Sequence, residues 1–186
     1  MKRWLVWVLI LLGLSQLGQG FYIEAKAWLA QQLLERAWER ARVGEARPLP
    51  WPWADTWPVA RLRVDRLGIR QVVLAGASGR TLAFGPGHLF ASAPPGSAGN
   101  SAISGHRDTH FRFLRDLRAG DRIELERRDG ARVRYAVYRR GVVHDTDSAP
   151  LRRQGAQLTL ITCYPFDALS PGGSDRFVVE ARRIAL

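Results

Sequence analysis

The chain has 186 residues, 46% of them hydrophobic and 24% charged. That composition excludes collagen-like, low-complexity and fully disordered classes, and the length allows one domain of roughly 120–150 residues plus an appendage. Lys and Arg number 28 against 17 Asp and Glu, a formal net charge of +11. Only Lys2 and Lys26 are lysines, and the arginines are dispersed along the chain. No zinc-finger, basic-zipper or RNA-recognition pattern occurs, so no nucleic-acid partner is expected. The positive charge reads as a solvated arginine-rich surface, the alternative being one that faces phosphate or anionic lipid. The single cysteine, Cys163, excludes an internal disulfide and a cysteine-rich zinc site.

Residues 4–23 carry no charged side chain. As a helix, about 20 residues rise about 30 Å, the thickness of a bilayer core. Lys2 and Arg3 precede this run, which predicts a cytoplasmic N-terminus and an extracytoplasmic remainder. Ser15, Gln16 and Gln19 weaken its second half, and Ala25, Lys26 and Ala27 have the small-x-small form of a cleavage site. The helical pattern nevertheless continues through Trp28, Leu29, Leu33, Leu34, Ala37, Trp38 and Ala41. An uncleaved signal anchor is therefore expected, with a stalk that ends near Gly44. On the stalk, Glu35 and Glu39 form a like-charge i,i+4 pair. Residues 1–43 are read as anchor and stalk, and 44–58 as a linker. Prolines 48, 50, 52 and 58 exclude helix and central strand there. Trp51, Trp53 and Trp57 are expected to pack on the following domain, the membrane interface being the alternative.

From residue 59 the chain reads as eight short strands: Ala60–Val64, Gln71–Leu74, Ala102–Ser104, Arg122–Glu126, Arg132–Tyr138, Gly141–His144, Leu158–Cys163 and Arg176–Ala181. Ile123 alternates with Leu125, and Val133, Tyr135 and Val137 alternate likewise, as half-buried strands do. Asp129-Gly130 between two such runs signals a hairpin. Short helices fit Arg80–Phe84 and Phe111–Leu117. Eight strands with turn residues between them predict a mainly β, closed or nearly closed barrel.

Cys163 ends the run Leu158–Cys163, and Pro165 stops the strand two residues later. A free cysteine is commonly a buried, inert one; at a strand end it is also a candidate nucleophile. His106 follows a short apolar strand and is a candidate base for it, with His88, His110 and His144 as competitors. His106 and His110 are four residues apart, but no third ligand type stands nearby, and no metal is expected. Asp145 and Asp147 read as solvated loop acids. Arg176 opens the last strand, thirteen residues after Cys163, across a loop containing Pro171, Gly172, Gly173 and Ser174. If the two strands are antiparallel neighbours, its guanidinium stands beside the thiol as a donor for an oxyanion or carbonyl.

From Thr81 onward the sequence resembles the sortases, membrane-anchored cysteine transpeptidases of bacteria. The resemblance rests on Gly85–His88, Gly99-Asn100, Gly105–Phe111, Leu117, Gly120-Asp121, Leu158–Cys163 and Arg176, in family order. The wording of Gly105–Phe111 and the Trp-Pro linker look most like the single-copy sortases of proteobacteria. The resemblance implies an eight-stranded sortase barrel over residues 59–186, preceded by a transmembrane helix. It implies Cys163 as nucleophile, His106 as general acid/base, Arg176 as substrate and oxyanion support, and Thr162 as a contributor to the oxyanion hole. It further implies cleavage of a C-terminal LPxTG-like sorting motif in an exported protein and transfer of the acyl group through a thioester to an amine acceptor. The catalytic domain would lie outside the inner membrane, held to the lipid bilayer by its helix. No cofactor is expected. Two other readings use the same features: a cysteine endopeptidase that passes the acyl group to water, and a non-catalytic peptide-binding barrel. A peptidoglycan-type cysteine transpeptidase shows a Ser-x-Gly-Cys setting, which Thr162–Pro165 does not match.

Overall fold

The structure is a computed structural model that describes residues 2–168 and 172–185; Pro171 of the loop noted above lies outside them. The first element, α1 (Lys2–Arg42), is one continuous helix. It stops at Gly44, which adopts φ +103°. There the Gly44 N–H donates to the Ala41 carbonyl at 3.2 Å and the Glu45 N–H to the Arg40 carbonyl at 3.2 Å, the paired bonds of a glycine-terminated helix end.

The helix has two halves. From Val6 to Leu29 its large apolar side chains are exposed, Phe21 by 80%. This helix is long and apolar enough to cross a membrane, with a mean hydropathy of 1.6 over its most apolar window. From Ala30 onward one stripe is buried: Ala30, Leu34, Ala37, Trp38 and Ala41. This is the spacing of a single helix face. Leu34, Trp38 and Ala41 pack with Val72 and Leu74 of the sheet, and with Trp51 and Phe84. The segment read as a stalk thus lies along the barrel wall. The like charges of Glu35 and Glu39 are reconciled by Arg61, a strand residue only 3% exposed. Its guanidinium pairs with Glu35, with Glu39 at 3.4 Å and with the buried Glu126 at 3.7 Å, and lies 5.2 Å from the Trp38 ring centroid. Of the three linker tryptophans, Trp51 packs edge-on against Phe84 at 4.7 Å and Trp57 lies under Arg47 at 4.8 Å. Trp53, expected to pack, is 83% exposed.

The barrel strands are β1 (Pro58–Val64), β2 (Ile69–Ala75), β3 (Gly87–His88), β4 (Asn100–Ser104), β5 (Arg122–Arg127), β6 (Arg132–His144), β7 (Gln157–Cys163) and β8 (Asp175–Arg183). They close in the order β1-β2-β3-β4-β7-β8-β6-β5. A closed eight-stranded barrel is what the sequence predicts, but two elements differ. The expected strands Arg132–Tyr138 and Gly141–His144 are one strand, β6, because no chain-breaker separates them. A register irregularity between Val137 and Arg139 absorbs the change of face along β8. The eighth strand is instead β3, two residues long, too short to show any alternation. The expected helices shrink to α2 (Gly79–Leu82), capped by the Ser78 hydroxyl, and a 3-10 turn at Arg112–Asp116. Inward positions alternate as read, with Ile123, Leu125, Val133, Tyr135, Val137, Leu158 and Leu160 all in one core.

Two histidines are held within this frame, His88 buried and His110 half-buried. His88 Nε2 bonds the Ala93 carbonyl at 2.9 Å, and His110 bonds the Ala83 backbone. Burial, the largest cause, lowers the pKa of each from the ordinary 6.5. The unfolded chain therefore takes up these protons first, so stability is complete above pH about 6.5 and declines as pH falls below it toward the folded-state values. Melting temperature should be level above pH 7 and fall between pH 6.5 and 5, and a His88→Gln/His110→Gln variant should flatten that decline. Trp38→Ala should cost about 3–5 kcal/mol in denaturant unfolding followed by barrel signals. An unchanged midpoint would mean that the helix is not part of the folded unit.

Candidate active site

β4 and β7 run parallel, in register Ser104 opposite Ile161. One step on, the Gly105 N–H donates to the Ile161 carbonyl at 3.1 Å, and the Thr162 hydroxyl to the Gly105 carbonyl at 2.6 Å. The next residue on each chain is His106 and Cys163. Parallel strands finish at the same rim, so the imidazole and the thiol leave adjacent strand ends. Cys163 is half-buried and His106 exposed. Leu158, Leu160 and Thr162 share the core-facing side of β7 by alternation, which sets Cys163 on the outer side.

β8 returns antiparallel beside β7 with Arg176 directly opposite Cys163. The Tyr164 N–H donates to the Asp175 carbonyl at 3.1 Å, so the Cys163–Arg176 pair is the close, non-hydrogen-bonded kind, with Cα atoms about 4.5 Å apart. The Arg176 guanidinium, however, is turned into the β7–β8 loop. It donates to the Gly173 carbonyl at 2.7 Å, the Asp175 carbonyl at 2.9 Å and Asp145 at 3.3 Å. Asp145, read as a solvated acid, is thus the partner of this arginine. Asp147 accepts from the Ala149 N–H at 2.8 Å.

The loop that carries His106 is built from its own motif. A Cβ on Gly105 would stand 2.7 Å from the Phe111 ring; glycine lets the fully buried Phe111 press against the strand end. The Phe111 N–H closes the loop on the His106 carbonyl at 2.9 Å. Arg107, 4% exposed, points the other way and donates to the Pro165 carbonyl at 2.9 Å and the Ala168 carbonyl at 2.9 Å. It ties the segment after His106 to the segment after Cys163. Sequence reading missed this residue, because a buried arginine between exposed neighbours has no periodic signal. It also missed the ring cluster at this end of β7 and β8, where Phe177 stacks on Tyr164 at 6.3 Å and meets Phe166 edge-on at 5.2 Å.

The competing histidines are held by other partners. His110 is held by Ala83, and its carbonyl accepts from Gln71 at 2.8 Å. His144 bonds Thr146 at 2.9 Å, beside Asp145. His88 lines a cavity of about 620 Å³ between the end of α1 and the β5–β6 turn, which holds none of Cys163, His106 or Arg176. Among the described residues no group of three or more His, Cys, Asp or Glu is placed to share a metal.

The sortase domain family matches residues 62–184, which include every strand from β2 to β8. Sortase D of Bacillus subtilis is 29% identical over 125 residues, 66% of this chain. The chain spans 62% of that relative's length. Among solved structures, sortase C-1 of Actinomyces oris is 30% identical with a TM-score of 0.62, over 69% of this chain and 74% of that one. A lid mutant of Corynebacterium diphtheriae sortase A is 26% identical with a TM-score of 0.63, over 84% and 94%. The matched barrel, with its cysteine at the end of β7, makes this chain a member of the sortase family.

Proposed function

We propose that the protein is a membrane-anchored cysteine transpeptidase. The observation that carries this reading is the meeting of Cys163, His106 and Arg176 on the adjacent ends of β7, β4 and β8. The Cys163 thiolate attacks the scissile carbonyl of a sorting motif of the LPxTG type near the C-terminus of an exported protein. Donors of Arg176 hold the oxygen on which charge develops. His106 gives a proton to the leaving amine, and the acyl group rests on sulfur as a thioester. An amine acceptor then attacks, His106 takes its proton, the C–S bond breaks, and the Cys163 thiolate is freed with His106 protonated again. The Thr162 hydroxyl is committed to the Gly105 carbonyl, so it serves this site as a tie between the strand ends rather than as an oxyanion donor.

The proposed division of the chain is an anchor and docked helix over 1–43, a linker over 44–58 and a catalytic barrel over 59–186. The lysine and arginine before the apolar run support a catalytic domain outside the inner membrane. The wording of Gly105–Phe111 supports a place near the single-copy sortases of proteobacteria. Arg107 is a positioning residue: it acts through the two segments it joins, keeping the histidine loop and the chain after the cysteine in fixed relation.

Full-length protein in detergent or nanodiscs, incubated with sorting-type peptides and followed by intact mass, tests the reading. Wild type should show an acyl adduct that an added amine converts into an amine-linked product. Cys163→Ala should show no adduct and keep its melting temperature. An adduct released only to water would make the protein an endopeptidase, and a folded wild type whose Cys163 resists both peptides and thiol reagents would leave a binding barrel. Arg176→Lys should lower kcat/KM by at least about 100-fold, since a point charge does not replace a planar fork. Arg107→Ala should lower kcat more than it raises KM and should change the pH profile of turnover. A loss of melting temperature alone, with kinetics of the folded fraction unchanged, would reduce Arg107 to a structural role.

A further inference from the structure

We infer that the end of the barrel carrying Cys163 faces the bilayer that holds α1, and that Arg70, Arg112 and Arg115 lie there against anionic phospholipid headgroups. This rests on the reading of α1 as the membrane anchor. The direction of the docked helix decides it. At one end of the docked half, Gln31 Nε2 donates to the Phe84 carbonyl at 2.8 Å. Phe84 follows Ala83, whose backbone bonds His110, four residues after His106. At the other end, Arg42 stands 3.5 Å from Glu126 of β5. Just beyond, Arg128 donates to the Ala46 carbonyl at 2.9 Å.

The strand directions place these two levels. β4 runs toward Cys163's rim; β3 runs against β4 and β2 beside β3, β1 runs against β2, and β5 against β1. β5 therefore runs away from the Cys163 rim, and the turn at Asp129-Gly130 is at the far end. The docked helix starts at the Cys163 rim and ends at the opposite one. Its continuation toward the N-terminus leaves the barrel past the Cys163 rim. From Gln31 back to Ile23, where the uncharged run ends, is about 12 Å at about 1.5 Å per residue. That distance is less than half a bilayer core. The helix is unbroken between the two, so the rim and the headgroups are held close together.

The sector of this rim around Arg70 carries three exposed arginines. Arg70 is 54% exposed, Arg115 is 47% exposed, and Arg112 is exposed. Leu67, Ile69, Thr109 and His110 border Arg112 and Arg115. Of the acids nearest these arginines, Asp116 lies 3.7 Å from Arg115, Glu35 lies 4.0 Å from Arg70 and Asp108 lies 3.2 Å from Arg107; elsewhere on the same rim Asp65, Asp121, Asp145, Asp167 and Asp175 stand at the strand ends, Asp121 paired with Arg66 at 2.6 Å and Asp145 with Arg176 at 3.3 Å. Clustered guanidinium groups at a membrane surface favour anionic lipid. A substrate would then enter along the headgroup plane, and the bilayer would form one wall of the site.

Full-length Cys163→Ala carrying a single fluorescent label at Thr109→Cys or at Asp129→Cys, reconstituted in vesicles with headgroup-nitroxide lipid, tests this. The label at 109 should be quenched at least about threefold more than the label at 129. That quenching should be stronger in phosphatidylglycerol than in phosphatidylcholine vesicles. Equal quenching at both sites, or more at 129, overturns the orientation while flotation with the vesicles keeps the anchor. Identical quenching in the two lipids overturns the arginine–headgroup contact. A chain that does not float with the vesicles has no anchor, and the proposal falls with it.

Discussion

Everything at the candidate site depends on the parallel pairing of β4 with β7. A parallel pair cannot be closed by a hairpin; it needs a long crossover, and here the crossover carries the 3-10 turn, β5 and β6. Those strands are themselves barrel staves, so the connection that makes the parallel pair possible also closes the sheet. The consequence is geometric. Two chain segments distant in sequence end side by side, pointing the same way, with the Thr162 hydroxyl bonded across the join. β8 then needs only a loop to bring an arginine back opposite the cysteine.

The arginine is not idle in this arrangement. Its bonds to Gly173, Asp175 and Asp145 tie three pieces of backbone together at the rim: the end of the β7–β8 loop, the start of β8 and the end of β6. A planar group with five donors in a fixed fork can keep some partners while gaining others. Asp145 therefore sets both the position of the guanidinium and the local charge balance. Arg107 does the analogous work below the histidine loop, where burial makes each of its bonds to carbonyl oxygens stronger than at the surface.

How much of this was legible in the sequence follows from what leaves a pattern. The alternation of Ile123 with Leu125 and of Val133 with Tyr135 and Val137 reports a wall with one wet side, and the barrel could be read from it. Pro165 two residues after Cys163 marks a strand end, and that placed the thiol at a rim. β3 left no trace because two residues cannot alternate. The union of two expected strands into β6 was hidden by Arg139, Arg140 and Gly141, which are exposed or partly exposed and resemble a turn. The meaning of Glu35 and Glu39 was equally out of reach. Their repulsion is visible along the helix, but the buried Arg61 that relieves it comes from another element. Trp53 shows the opposite error: a large apolar side chain was assumed to need cover, and in this fold it has none.

The buried ion cluster around Arg61 constrains the order in which the protein can be assembled. Arg61 needs Glu35 and Glu39 from the helix and Glu126 from a strand made much later, and an arginine taken out of water with one of these missing is strongly disfavoured. The docked half of α1 therefore gains its complete set of ion pairs only after β5 has been synthesised and paired. Leu34 and Trp38 have an apolar wall as soon as Val72 and Leu74 of β2 are made, but the charged side of the same contact stays incomplete until the second half of the barrel exists. Completion of the barrel is the event that locks the helix in place.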